Sequence, residues 1–139
     1  MTLFVGFLDP VAHRLHYCNA GHEPPALFVP GRAPQRLEST GPPVGHIPLP
    51  FTGAELPPGA LLCIWSDGIP EAFRHGARLE QFTAERLLGT LETLGDRPGD
   101  EIVTTVFAHV DEFLRDAHAR DDRTILVVRR QTTAALPAD

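Results

Sequence analysis

The sequence predicts an α+β fold in which helices pack outside antiparallel β-sheets. Three observations predict it. The first half is a succession of short apolar runs separated by turn formers. The second half holds two segments with apolar residues spaced by three and four, the period of a helix with one buried face. A further apolar run, 123–130, closes the chain after the helices. Strands, then helices, then a closing strand place the helices on one face of an antiparallel sheet. At 139 residues the chain is one ordinary domain, long enough to bury a core.

The elements follow in order. Residues 2–9 (TLFVGFLD) and 13–19 (HRLHYCN) read as two strands joined by a turn at Asp9-Pro10. Residues 25–30 (PALFVP) form a third, followed by the turn Gly31-Arg32-Ala33-Pro34 and a short run at 35–39. The stretch 41–59 carries Pro42, Pro43, Pro48, Pro50, Pro57 and Pro58, so it reads as a proline-pinned loop with one short strand at 54–56. Val44, Ile47, Leu49 and Phe51 give that loop apolar anchors. The run 60–66 (ALLCIWS) is continuously apolar and stops at Ser66-Asp67-Gly68, the pattern of a strand buried on both faces. A helix is expected at 83–94, with Thr83 as N-cap and Leu87, Leu88, Leu91 and Leu94 on one side. A second is expected at 100–117, where Val103, Val106, Phe107, Val110, Phe113 and Leu114 recur at helical spacing. Strand 123–130 is last, and 131–139 reads as a frayed tail.

Composition excludes several functions. A net charge of −6 with no Lys/Arg cluster argues against nucleic acid as a partner. The apolar N-terminal run is too short to span a bilayer and lacks a basic leader, so neither membrane nor export is expected and the cytoplasm is the expected location. Cys18 and Cys63 both lie inside apolar strands, which predicts buried free thiols in a reducing compartment. His13 and His16, three apart on a strand, would point to opposite faces and could not chelate together. No zinc spacing, nucleophile elbow or phosphate-binding glycine loop is present.

Carboxylates carry the remaining chemistry. Asp67 ends the apolar strand 60–66, and Asp121 and Asp122 directly precede strand 123–130. If those strands are antiparallel neighbours, about 4.8 Å apart, the end of one lies beside the start of the other, and Asp67 and Asp121 can share one ion. Ligands that are all oxygen suit Mg²⁺ or Mn²⁺. The plain alternative is a Ser-Asp-Gly turn and a solvated Asp-Asp corner. A second oddity is the corner Asn19-Ala20-Gly21-His22-Glu23-Pro24-Pro25, which places an amide and an imidazole where a two-residue hairpin turn would do.

Taken in order, the segments LDP, YCNAGHEPP, GPPVG, LPPGALLCIWSDGIPEA and DDRTILVV resemble the C-terminal part of the SpoIIE/RsbU-like phosphatases. These belong to the metal-dependent PPM class of protein serine/threonine phosphatases. The resemblance runs from about Thr2 to Val128. It implies an αββα sandwich whose N-terminal part is missing, with 1–130 a partial phosphatase domain and 131–139 a tail. Thr83, where the family has glycine, and Pro70 inside SDGIPEA depart from the pattern without touching the carboxylates.

The resemblance also implies site residues. Asp67 and Asp121 would be metal ligands, Gly68 would allow close backbone approach, and Asp122 would be a secondary ligand. Glu71 would support the loop, and Asp9 belongs to the LDP turn. His22 and Asn19 are the catalytic candidates at the rim of the site. For His22 three roles stay open: binding phosphate, protonating the leaving serine oxygen, or contacting a further ion. The bland reading is that it only ties down its turn, and Asn19 by its residue type alone accepts backbone bonds within that turn. The implied activity is hydrolysis of phosphoserine or phosphothreonine on a regulatory protein such as an anti-sigma-factor antagonist, with two Mn²⁺ or Mg²⁺ ions. The family segments that bridge the two metals have no counterpart between Met1 and Leu8, so an inactive fragment that only binds a regulatory protein is the alternative. An exposed sheet edge that could form a homodimer is the structural corollary.

Overall fold

The computed structural model describes residues 1–45, 48, 50–75, 79–115 and 121–132. Its strands are β1 (Leu3–Asp9), β2 (Arg14–Ala20), β3 (Ala26–Phe28), β4 (Gln35–Arg36), β5 (Thr52–Glu55), β6 (Leu61–Trp65), β7 (Phe73–His75), β8 (Leu79–Gln81) and β9 (Ile125–Arg129). The helices α1 (Ala84–Thr93) and α2 (Gly99–Leu114) lie between β8 and β9 in sequence. All strand pairs are antiparallel, in a three-stranded sheet β1-β2-β5, a four-stranded sheet β4-β3-β6-β9 and the hairpin β7-β8.

Strand β6 explains the layering. Leu61, Cys63 and Trp65 face one way, into a cluster with Leu87 and Leu91 of α1 and Ile102, Val106 and Val110 of α2. Leu62 and Ile64 face the other way, against Leu15 and Tyr17 of β2 and Ala54 of β5. A strand buried between a sheet and a helix pair must be apolar at every position, and this one is. Cys18 and Cys63 are free and buried, and burial pushes the Cys63 thiol up to about 12, so it packs as a neutral apolar group.

Several elements differ from the sequence expectation. β4 stops at Arg36 because Leu37 turns into the inter-sheet core, its N–H donating to the Pro25 carbonyl. β5 covers Thr52–Glu55 instead of 54–56. His13 sits in the turn before β2 with φ 56, so it does not share the strand with His16. Thr83 occupies the N-cap position of α1, but with φ 71 and no capping bond from its hydroxyl. α2 begins at Gly99, behind Pro98, whose carbonyl accepts the Ile102 N–H. It closes at Leu114, and the expected last turn at 116–117 lies outside the described residues, as do the loop anchors Ile47 and Leu49. The hairpin β7-β8 was not expected. Its strands show no apolar alternation, and it is held by the cross-strand pair Arg74–Glu80 at 2.7 Å and the Phe82 N–H to Ala72 carbonyl bond.

β1 is an edge of its sheet and β9 of the other. Along β1 the register aligns Leu3, Val5 and Phe7 with Ala20, Cys18 and His16, on the face turned away from the inter-sheet core. Phe7 is 62% exposed and its ring meets that of Phe51 at 5.7 Å. Leu62→Ala should remove packing from between the two sheets and lower stability by about 2–5 kcal/mol, read as a lower urea midpoint at unchanged slope.

Candidate functional site

The site is built where β6 and β9 meet their loops. Their register ends at Trp65 opposite Ile125, and a side chain continues it. The Ser66 N–H donates to the Thr124 carbonyl at 3.0 Å, and the Ser66 hydroxyl accepts the Thr124 N–H at 3.0 Å. The same hydroxyl donates to the Asp122 carbonyl at 3.0 Å. Ser66 thus latches the segment before β9 to the segment after β6, bringing Asp67 and the Asp121-Asp122 pair to one rim. Gly68 completes the approach. A methyl group there would overlap the Asp122 carbonyl oxygen and sit 3.4 Å from the Asp121 side chain, so only glycine lets the two segments touch. The Glu71 N–H donates to the Asp67 carbonyl at 2.9 Å, and buried Ile69 and Pro70 anchor the loop between them.

The second wall is the corner after β2. Asn19 is a fully buried polar residue, and its amide is engaged at both ends. Its Nδ2 donates to the Leu37 carbonyl at 3.0 Å, and its Oδ1 accepts the His22 N–H at 2.9 Å. Its own N–H donates to the Thr40 hydroxyl at 3.1 Å, and its carbonyl accepts the Thr40 N–H. Asn19 therefore meets the site through the backbone of His22. Gly21 turns the chain with φ 73, and the Pro43 ring packs so close that a Cβ would sit 2.9 Å from it, which explains why the Gly-Pro-Pro-Val-Gly loop lies against this corner. The His22 ring is half-buried, with its Nδ1 2.7 Å from the Glu23 carbonyl oxygen.

Between the walls lies a cleft of about 230 Å³ lined by Thr2, Gly21, His22, Glu23, Ser66, Asp67 and Glu71. Of the residues singled out by sequence, His22, Asp67 and Glu71 come together there. Gly68 is buried behind it, Asp121 and Asp122 are exposed and pack against Gly68 without lining the cleft, and Asn19 is in the core. The sequence pattern did not mark Ser66, Glu23 or Arg36. Glu23 pairs with Arg36 at 3.0 Å, and the Arg36 guanidinium lies 5.4 Å over the Trp65 ring. A serine closing a strand and a lone Glu-Arg pair thirteen residues apart carry no spacing that distinguishes them from solvated polar residues.

The carboxylates at the rim are hard oxygen donors, and the Gly68 cradle lets the Asp67 and Asp121 segments touch, so these two fit part of a divalent-ion site. One Asp121 oxygen is already used, accepting the Asp122 N–H at 2.8 Å. Among the described residues no three His, Cys, Asp or Glu side chains converge as a complete ligand set.

Comparison with known proteins finds relatives over nearly the whole chain. The family model described as Stage II sporulation protein E (SpoIIE) matches residues 1–131. Protein IcfG of Synechocystis is 32% identical over 132 residues, which are 93% of this chain and 20% of IcfG. The solved RsbU and RsbW domains of Rv1364c from Mycobacterium tuberculosis superpose with a TM-score of 0.73 at 30% identity, over 94% of this chain and 36% of that one. The SiaA-PP2C domain of Pseudomonas aeruginosa gives 0.81 at 20% identity, over 92% and 51%. The SpoIIE phosphatase domain of Bacillus subtilis, presoaked with Mn, gives 0.73 at 20%, over 96% and 58%. The chain thus spans a fifth of the curated relative and 36–58% of these solved chains.

Gly68→Ala should force the Asp67 and Asp121-Asp122 segments apart. The expected cost is ~1–3 kcal/mol of stability, measured by urea denaturation. An unchanged midpoint would show that the loop yields freely.

Proposed function

We propose a function from one premise: the chain belongs to the SpoIIE family and carries the fold of PP2C-type phosphatase domains. The function is metal-dependent hydrolysis of phosphoserine or phosphothreonine on a regulatory protein of the anti-sigma-factor-antagonist kind, in the cytoplasm. The observation that carries it is the cleft in which His22, from one sheet, faces the Asp67 loop, from the other. A regulatory protein as substrate is supported by the matched M. tuberculosis structure, which holds RsbU and RsbW domains in one protein.

In this reading Asp67 and Asp121 hold Mn²⁺ or Mg²⁺, with Asp122 as a secondary ligand and Gly68 giving the backbone its close approach. Bound divalent ions would supply a water of lowered pKa and neutralise charge on the phosphoryl oxygens. The chain's own residues do the rest. As an imidazolium, with its Nδ1–H held by the Glu23 carbonyl, His22 gives its Nε2 proton to the leaving serine oxygen and is left as the neutral Nδ1–H ring. Asn19 holds His22 in place through its N–H. With a net charge of −6 and acidic Asp67 and Glu71 in the cleft, a phosphorylated target gains no long-range attraction and must dock through local contacts.

The incomplete ligand set among the described residues favours a second reading, a non-catalytic module that binds the regulatory protein. The β1 edge, with exposed Phe7 and Leu8, supports a homodimer formed by edge-to-edge pairing. No described helix is long and apolar enough to cross a membrane.

Calorimetric titration of the chain with Mn²⁺ should show one weak site, and Asp67→Asn should abolish it. Hydrolysis of a small phosphate ester should be near background, and fusion to the N-terminal half of a SpoIIE-type phosphatase should restore it. Two tight sites with robust turnover from the 139 residues alone would refute the partial-site assignment. In an active fusion, His22→Ala should lower turnover by ~10²–10⁴ with an unchanged circular-dichroism spectrum. Unfolding with unchanged specific activity would make His22 a turn residue only. Sedimentation should show a dimer that dissociates on Phe7→Lys, whereas a monomer at high concentration would remove the edge pairing.

A further inference from the structure

The Glu23 carbonyl oxygen has no proton to give, so the 2.7 Å contact with His22 requires a hydrogen on Nδ1. Neutral His22 is thereby the Nδ1–H tautomer, with its lone pair on Nε2. What fixes that carbonyl is therefore what fixes the chemistry available at Nε2.

Two features restrain it. Pro24 follows Glu23, and a residue before proline is confined to extended backbone, which limits the directions its carbonyl can take. The Glu23 side chain is clamped as well. Its Oε1 accepts from Arg36 at 3.0 Å, with both side chains about one quarter exposed, at 27% and 25%. Arg36 is itself immobilised. It lies on β4 opposite Ala26 of β3, and its guanidinium stacks 5.4 Å over Trp65, which is 1% exposed in the helix-side core. Among the described residues its Nε is buried with no hydrogen-bond partner, and the bond to Glu23 is the directional contact that this end of Arg36 makes with them.

We propose that Arg36 is a positioning residue for His22: through Glu23 it holds the carbonyl that sets His22 in the Nδ1–H tautomer and leaves Nε2 as the ring nitrogen that exchanges protons in the cleft. The inference rests on the reading of His22 as the proton donor for its functional meaning, but the tautomer is measurable without metal, substrate or turnover. A Glu-Arg pair that served only stability would hold the fold and leave the ring free to choose.

The test is long-range ¹H–¹⁵N correlation spectroscopy of the full chain in alkaline buffer, where imidazole side chains are neutral. The seven histidines are sorted by the resonances that vanish in His22→Gln. The wild-type His22 pattern should be that of Nδ1–H. Arg36→Met, which keeps the packing over Trp65, should lower the Nδ1–H to Nε2–H ratio at least about threefold, and Arg36→Lys should restore part of it. Glu23→Gln leaves β4 untouched and should reproduce the loss if Arg36→Met does not fold. An Nε2–H pattern in the wild type overturns the proposal, as does a ratio unmoved by both Arg36→Met and Glu23→Gln in folded protein. A phosphatase assay on the fusion to the N-terminal half of a SpoIIE-type phosphatase separates the two readings: an inactive fusion, beside the expected tautomers in the chain, contradicts the enzyme function and leaves the positioning role standing.

Discussion

The antiparallel pairing of β6 with β9 is the constraint on which the site depends. It joins the strand that precedes Asp67 to the strand that follows Asp121-Asp122, although more than fifty residues and both helices lie between them. Pairing alone would bring the strand ends together to within a strand spacing. The Ser66 hydroxyl, accepting from Thr124 and donating to Asp122, reinforces the backbone bond from Ser66 to Thr124 and carries the contact on to Asp122. The missing side chain of Gly68 then lets the two backbones come into contact. Three small features thus hold two carboxylate-bearing segments together against their like charge. The helices contribute by packing on Leu61, Cys63 and Trp65, which keeps β6 from shifting against its neighbours.

The corner after β2 answers the same need by other means. A cleft between two sheets requires that both rims be rigid, and the central strand β2 of the three-stranded sheet runs into the corner through four buried residues, Tyr17 to Ala20. Asn19 ties that end down. Its amide spans from the Leu37 carbonyl to the His22 N–H, and its backbone bonds to Thr40, so one buried polar residue ties β2, the segment after β4 and the corner into a unit. Buried polar groups fully satisfied in this way specify a single arrangement, since any shift leaves a donor or acceptor unpaired in the core.

The parts legible in the sequence were those written in long apolar periods. β6 was readable as doubly buried because every position in Leu61–Trp65 is apolar, and α2 because Val106, Val110, Phe113 and Leu114 repeat at helical spacing. Asp67 and Asp121 were legible by position, at the end and beginning of such runs. The hairpin β7-β8 was not, because Arg74 and Glu80 hold it by charge and register, which leave no periodicity along the chain. Ser66, Glu23 and Arg36 were missed for a related reason. Their roles come from contacts across the fold: Ser66 reaches 56 residues ahead to Asp122, and Arg36 matters because Trp65 and Glu23 happen to flank it.

The charge balance of the cleft connects these observations. Glu23, Asp67 and Glu71 all line its volume of about 230 Å³, beside an imidazole whose Nδ1 lies against the Glu23 carbonyl. Only Glu23 has a cation at bonding distance among the described residues, and that cation faces the core side, over Trp65. Asp67 and Glu71 are left toward solvent without one. A protein that sought only stability would place basic residues here, as it does around Glu80, where Arg74 and Arg86 converge and hold the carboxyl below its ordinary pKa. Glu80 is neutralised within the fold, whereas Asp67 and Glu71 have no basic partner at bonding distance among the described residues, which leaves the rim of the cleft net acidic.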